Sequence, residues 1–128
     1  MKKDNEWIIL TIKELQEKMD LSLWTIHVYK TNFVSPYNKK TDPSGYSAEI
    51  KDIDHNYLDA KIYLSRKFYK KLKSRKDLCR EILAHELAHI YTDETYEYAH
   101  DHIPKKDQDT FSLKNERLTQ ILTKFILK

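Results

Sequence analysis

Apolar residues at Ile8, Ile12, Leu15 and Met19 recur at helical intervals and share one face of a helix over about residues 5–19. Thr11-Ile12-Lys13-Glu14 has the form of a capping box, with Leu10 and Leu15 placed as a staple, so Thr11 is the competing start. Trp7 and Ile8 extend the same stripe and favour the longer helix. From Leu23 to Lys30 the period falls to two: Trp24, Ile26 and Val28 alternate with Thr25, His27 and Tyr29, the pattern of a half-buried strand. Tyr46-Ala48-Ile50 and Leu58-Ala60-Ile62-Leu64 repeat that alternation around the turn-like Asp52-Ile53-Asp54-His55-Asn56. Residues 31–44 hold Asn32, Pro36, Asn38, Pro43 and Ser44 and read as the main loop of the N-terminal half. Three strands with short connections predict a small antiparallel meander, one face on helices and the other towards water.

The C-terminal half is helical in pattern. Ser65–Lys73 is short and basic, with Phe68 and Leu72 spaced for a helical turn. Ser74 and Asp77 form a weaker capping box before a long helix from about Arg75 to Tyr91, which neither Pro nor Gly interrupts. Thr92–Thr110 is polar and tyrosine-rich and reads as irregular. A last helix runs from about Ser112 to the C-terminus. The predicted class is α+β, in a single domain over 1–128.

Composition changes this picture mainly by exclusion. The one glycine, Gly45, cannot supply the glycine-rich loops of a P-loop or dinucleotide site. The one cysteine, Cys79, rules out an intramolecular disulfide and multi-cysteine zinc modules. Trp7-Ile8-Ile9-Leu10 is the longest strictly apolar run, far short of a membrane span, and the basic start Met1-Lys2-Lys3 leads into Asp4, Asn5 and Glu6 instead of an apolar stretch. The expected setting is cytoplasmic, without a membrane partner. A net charge of +3 does not by itself call for nucleic acid.

The chemistry lies in His85-Glu86-Leu87-Ala88-His89. Positions i and i+4 of a helix differ by about 40° in azimuth, so both imidazoles project from one face and reach a single ion. Glu86, about 100° from His85, borders that face and can hydrogen-bond a metal-bound water without entering the coordination sphere. Two neutral nitrogen ligands, an open position for water and a carboxylate to take its proton are the parts of a zinc hydrolase. With 6 His and 9 Glu in the chain, random ordering gives this pattern only about 0.02 times. The predicted helix is the context that the pattern requires.

A third protein ligand is needed. The residues after His89 hold no glycine three on and no histidine six on, so the metzincin extension is absent. The candidates are Glu116 at the start of the last helix, His100 or His102 in the intervening segment, and Asp93 or Glu94 on the tail of the motif helix. The last pair is poorly placed, being on the same helix one turn further. On the helical wheel Leu118, Ile121, Leu122 and Phe125 gather opposite Glu116, whose own stripe holds Gln120 and Thr123, with Leu113 and Leu127 at its ends. That stripe is either a solvated face or the wall of a water-filled cleft with Gln120 in support.

This arrangement resembles a minimal zincin. Leu23-Trp24-Thr25-Ile26-His27-Val28, Ala48-Glu49-Ile50 and Ala60-Lys61-Ile62, followed by His85–His89, are similar to small zincins of phage and mobile elements, sometimes called minigluzincins. The resemblance spans nearly the whole chain, although only the His-Glu-x-x-His motif is specific. It implies an N-terminal helix, a three-stranded sheet, a motif helix and a glutamate helix. It also implies a zinc-dependent peptidase acting on peptide or protein substrates, with His85, His89 and Glu116 as metal ligands and Glu86 as general base. The pair His100/His102 instead resembles SprT-like proteases, whose third ligand is a histidine.

Arg66–Lys76 holds seven basic residues around Phe68 and Tyr69, either a solvated segment or a phosphate-contacting patch. The alternative function is therefore a SprT-like DNA-associated protease or a zinc-containing DNA-binding module. Tyr91, Tyr96 and Tyr98 are candidate oxyanion donors or packing residues. Leu58–Leu64 is the expected edge for an extended substrate.

Overall fold

The computed structural model describes residues 2–32, 46–101 and 104–128, with side chains described throughout these except at 94–101 and 111–112. The loop expected over 31–44 falls almost entirely outside them. Helix α1 (Lys2–Lys18) leads to strand β1 (Thr25–Lys30), and strands β2 (Ala48–Asp54) and β3 (Asp59–Leu64) follow. Three helices complete the chain: α2 (Arg66–Leu72), α3 (Lys76–Asp101) and, after a 3-10 turn at Lys105–Asp107, α4 (Gln108–Leu127). The class is α+β. No helix among the described residues is long and apolar enough to cross a membrane.

The stripe Ile8, Ile12, Leu15 and Met19 is buried as its spacing predicts, and α1 starts before Thr11. Its end compensates for the scarcity of glycine. Asp20 takes the left-handed conformation (φ 57°), the Leu21 amide donates to the Gln16 carbonyl, and the Asp20 amide donates to that of Glu17. This is a Schellman turn with aspartate where glycine is usual. The buried Gln16 amide group donates to the Leu21 and Trp24 carbonyls and pins the chain as it enters β1.

The sheet is mixed, not an antiparallel meander. Its order is β1-β3-β2, with β1 parallel to β3 and β2 antiparallel to β3. Only the tight turn after Asp54, whose carboxylate accepts from the Asn56 and Tyr57 amides, dictates a hairpin. The long β1–β2 connection leaves β1 free to pair on the far side of β3. Alternation fixes which face is buried and says nothing of which strand is the neighbour. β3 is thus central, with both edges paired, and cannot be the substrate edge. Ala60, Ile62 and Leu64 point from it into the core, beside Ala48 and Ile50 of β2.

α3 also departs from expectation: it continues to Asp101, through most of the segment read as irregular. Neither Pro nor Gly stands between Lys76 and Ile103, so nothing in the backbone chemistry stops it before Pro104. Cys79, Leu83, Ala84, Leu87, Ala88 and Ile90 carry its inner face into the core with Phe68 and Leu72 of α2. The Tyr91 hydroxyl donates to the Met19 carbonyl and ties α3 to the end of α1. α4 packs inward through partly buried Leu122, Ile126 and Leu127 and through small polar residues: Thr119 and Thr123 are buried, and the Thr92 and Thr119 hydroxyls lie 2.8 Å apart.

Ile62 is fully buried on the central strand. Ile62→Ala is expected to lower unfolding free energy by about 2–5 kcal/mol. Leu118→Ala, on the exposed side of α4, is expected to change it by no more than about 0.5 kcal/mol. Urea titration of the two variants checks the pair.

Candidate metal site

Because α3 buries Leu83, Ala84, Leu87 and Ala88, it presents His85 and His89 together on its neighbouring face, towards α4. Glu116 meets them there. His85 Nε2 lies 2.5 Å from Glu116 Oε1, and His89 Nε2 lies 3.5 Å from the same oxygen. The two imidazoles stand edge to face with centroids 5.0 Å apart. One ligand atom from each of His85, His89 and Glu116 lies within 4.8 Å of the other two. Donors at about 2.0–2.1 Å around a tetrahedral zinc are about 3.3 Å from one another, so the 2.5 Å pair would open and the wider spacings, up to 4.8 Å, would narrow to take an ion. Two imidazole nitrogens and one carboxylate oxygen also have the donor chemistry that suits zinc.

The support behind these groups is specific. His89 Nδ1 lies 3.0 Å from Asp93 Oδ1, which also accepts from Asn115 Nδ2 at 3.2 Å and from the Thr92 hydroxyl at 3.4 Å. Asp93, a weak ligand candidate by sequence, thus holds the far nitrogen of His89 and turns Nε2 towards Glu116. Its i+4 spacing from His89 is the signal that marks it. Asn115 and the backbone amide of Ile50, which donates to Glu86 Oε1 at 3.0 Å, have no comparable mark in the sequence. Gln120, expected beside Glu116, is exposed; Thr123, expected on the same stripe, is buried, and Thr119 is buried with it.

Burial shapes the electrostatics. The Glu86 carboxyl lies deep among protein atoms, although part of the residue keeps solvent access. Burial pushes it up to about 7, against the opposing pull of the two histidines and the Ile50 amide. Burial disfavours the His89 imidazolium, but the Asp93 and Glu116 carboxylates outweigh it and raise His89 to about 10. For Glu116 burial acts upwards, and its hydrogen bonds with His85 and His89 win, holding it well below the usual carboxylate range.

Other candidates separate from this group. The Tyr91 hydroxyl faces the end of α1, so it is a tether and not an oxyanion donor. Cys79 is buried against the Phe68 carbonyl. His27 pairs with Asp59, and His55 donates to the Ile90 carbonyl and stands edge-on to Trp24. His102 and the side chains of Glu94, Tyr96, Tyr98 and His100 lie outside the described residues.

The basic run forms much of α2 and the turn after it. Several of its cations have protein partners: Lys71 donates to the Ser47 hydroxyl, Arg75 pairs with Asp77, and Lys76 lies over Trp7. Arg66, Lys67 and Lys70, with Asn32 and Ser65, line an open cavity of about 310 Å³.

Compared with known proteins, the chain has no significant match to a family model, a curated protein or a solved structure.

The titrations separate by pH. Glu86 is raised, so its contribution to stability is full below 4.5 and is lost as pH climbs to about 7. His89 is also raised, and its contribution fades only from 6.5 through about 10. Glu116 is lowered, so its contribution is lost on acidification from 4.5 downwards. Chelator-treated protein is therefore expected to lose stability between about pH 4.5 and 7, chiefly through Glu86. Urea titrations across that range should show the slope in the native sequence and not in Glu86→Gln.

Proposed function

We propose that the chain is a zinc-dependent peptidase of zincin type, with His85, His89 and Glu116 as metal ligands and Glu86 as general base. The observation that carries this reading is the convergence of His85 and His89 on Glu116 across 31 and 27 residues of chain. His85, His89 and Glu116 would hold the zinc, which would supply a Lewis acid for the scissile carbonyl and bring the pKa of water towards neutrality. His89 is turned for this by Asp93, and Asp93 by Asn115. Glu86 is the carboxyl that lies deep among protein atoms beside the two histidines. It takes a proton from the attacking water and returns it to the departing amine. The Ile50 amide fixes one carboxylate oxygen and leaves the other for this work. β2 is the edge strand beside Glu86, so an extended substrate backbone would pair there.

A second reading, a SprT-like DNA-associated protease or a zinc-containing DNA-binding module, is favoured by the cationic wall around Arg66 and Lys70. It expects retention on DNA that falls steeply with salt and that Arg66→Ala with Lys70→Ala abolishes. Salt-independent passage through the column excludes it.

The peptidase reading expects one zinc per chain by elemental analysis and its loss in His89→Ala. Glu116→Ala should weaken zinc affinity markedly, while the double change of His100 and His102 to Ala leaves it nearly intact. The reverse ranking transfers the third-ligand role to a histidine. Glu86→Gln should keep fold and zinc yet lose peptide hydrolysis by about 10²-fold or more, read by mass spectrometry on a diverse peptide library. Full activity in Glu86→Gln excludes Glu86 as the base.

A further inference from the structure

α4 carries large apolar residues on two sides. Leu122, Ile126 and Leu127 pack against the core beside Thr119 and Thr123, which are 0% and 3% exposed, whereas Leu118, Ile121 and Phe125 are 55%, 59% and 75% exposed. Spacings of three and four make these three side chains neighbours on one face. Scattered exposed apolar residues are ordinary in folded proteins, but a contiguous stripe of large ones marks a contact surface.

Charge narrows what the stripe contacts. At about 100° per residue, Lys114, Arg117, Lys124 and Lys128 fall on the same half of the helix as Leu118, Ile121 and Phe125. All four cations are exposed. The acidic residues of α4, Asp109 and Glu116, fall on the other half, where Glu116 meets His85. Lys105 and Lys106, exposed on the preceding turn, continue the basic character at one end.

We propose that this face of α4 docks on an anionic phospholipid surface, the helix lying in the plane of the interface. Leu118, Ile121 and Phe125 would enter the boundary between headgroups and acyl chains, and the four flanking cations would meet the headgroup phosphates. Nucleic acid supplies the phosphates but no apolar layer for the three side chains. A second copy across a two-fold axis would set four cations against four. No helix among the described residues is long and apolar enough to cross a membrane, but a helix lying in the interface needs only one apolar face. The docking face is the side of α4 away from Glu116 and is independent of the metal site.

The test is co-sedimentation of the full chain with vesicles of phosphatidylcholine alone or mixed with phosphatidylglycerol. Binding is expected on the mixed vesicles only, and it should weaken as salt rises. Ile121→Ser with Phe125→Ser, and separately Lys114→Gln with Lys124→Gln, should each lower partitioning by about tenfold or more. Circular dichroism should be unchanged, because all four side chains are exposed. Failure of the folded native chain to sediment with mixed vesicles overturns the proposal, as does equal partitioning of native chain and variants. A dimer in sedimentation velocity that Ile121→Ser with Phe125→Ser separates into monomers overturns it in favour of a second copy.

Discussion

Two imidazoles and a carboxyl group on the inner side of a core helix must each find a partner, or burying them costs more than the helix gains. Much of the architecture follows from that demand. His85 is answered by Glu116, His89 by Asp93 and Glu116, and Glu86 by the Ile50 amide. Those partners come from three directions: α4, the next turn of α3 itself, and the edge of the sheet. Any arrangement that moved β2 away from α3 would leave the Glu86 carboxyl deep among protein atoms without its counterpart. The same closeness accounts for the divergence of the two glutamates. Glu86 sits where burial dominates and rises, whereas Glu116 sits against two histidines and falls.

Much of this was legible in the sequence, with limits that have physical causes. The periods of α1, β1, β2 and β3 report faces, and faces are what burial enforces: Ile8, Ile12, Leu15, Ala60 and Ile62 lie where alternation and helical spacing put them. Strand order was not legible, because parallel pairing of β1 with β3 depends on a connection whose path no local pattern encodes. The true length of α3 was hidden by composition. Tyrosine and acidic residues weaken the apolar stripe after Tyr91, yet without Pro or Gly the backbone ladder continues. The motif pair His85/His89 is a local signal and reads directly. Glu116 sits 27 residues beyond His89, so its meeting with the pair depends on how α4 packs, which no spacing states. α4 turns apolar residues both ways: Leu122, Ile126 and Leu127 pack against the core while Leu118, Ile121 and Phe125 stay exposed, and the Thr92 and Thr119 hydroxyls pair along part of the inner contact.

That seam has a consequence for precision. Two helices joined through interlocking aliphatic side chains can creep along one another by fractions of a turn, because dispersion forces have little sense of direction. A seam stitched by hydroxyl and amide groups has no such tolerance. The Thr92–Thr119 contact at 2.8 Å and the Asn115–Asp93 bond at 3.2 Å lie near the middle and the far end of the distances at which such bonds hold. A slide of about 1 Å would break both. These bonds favour one axial setting of α4 against α3, a mechanical detent. They hold the carboxylate of Glu116 at a fixed depth beside His85 and His89.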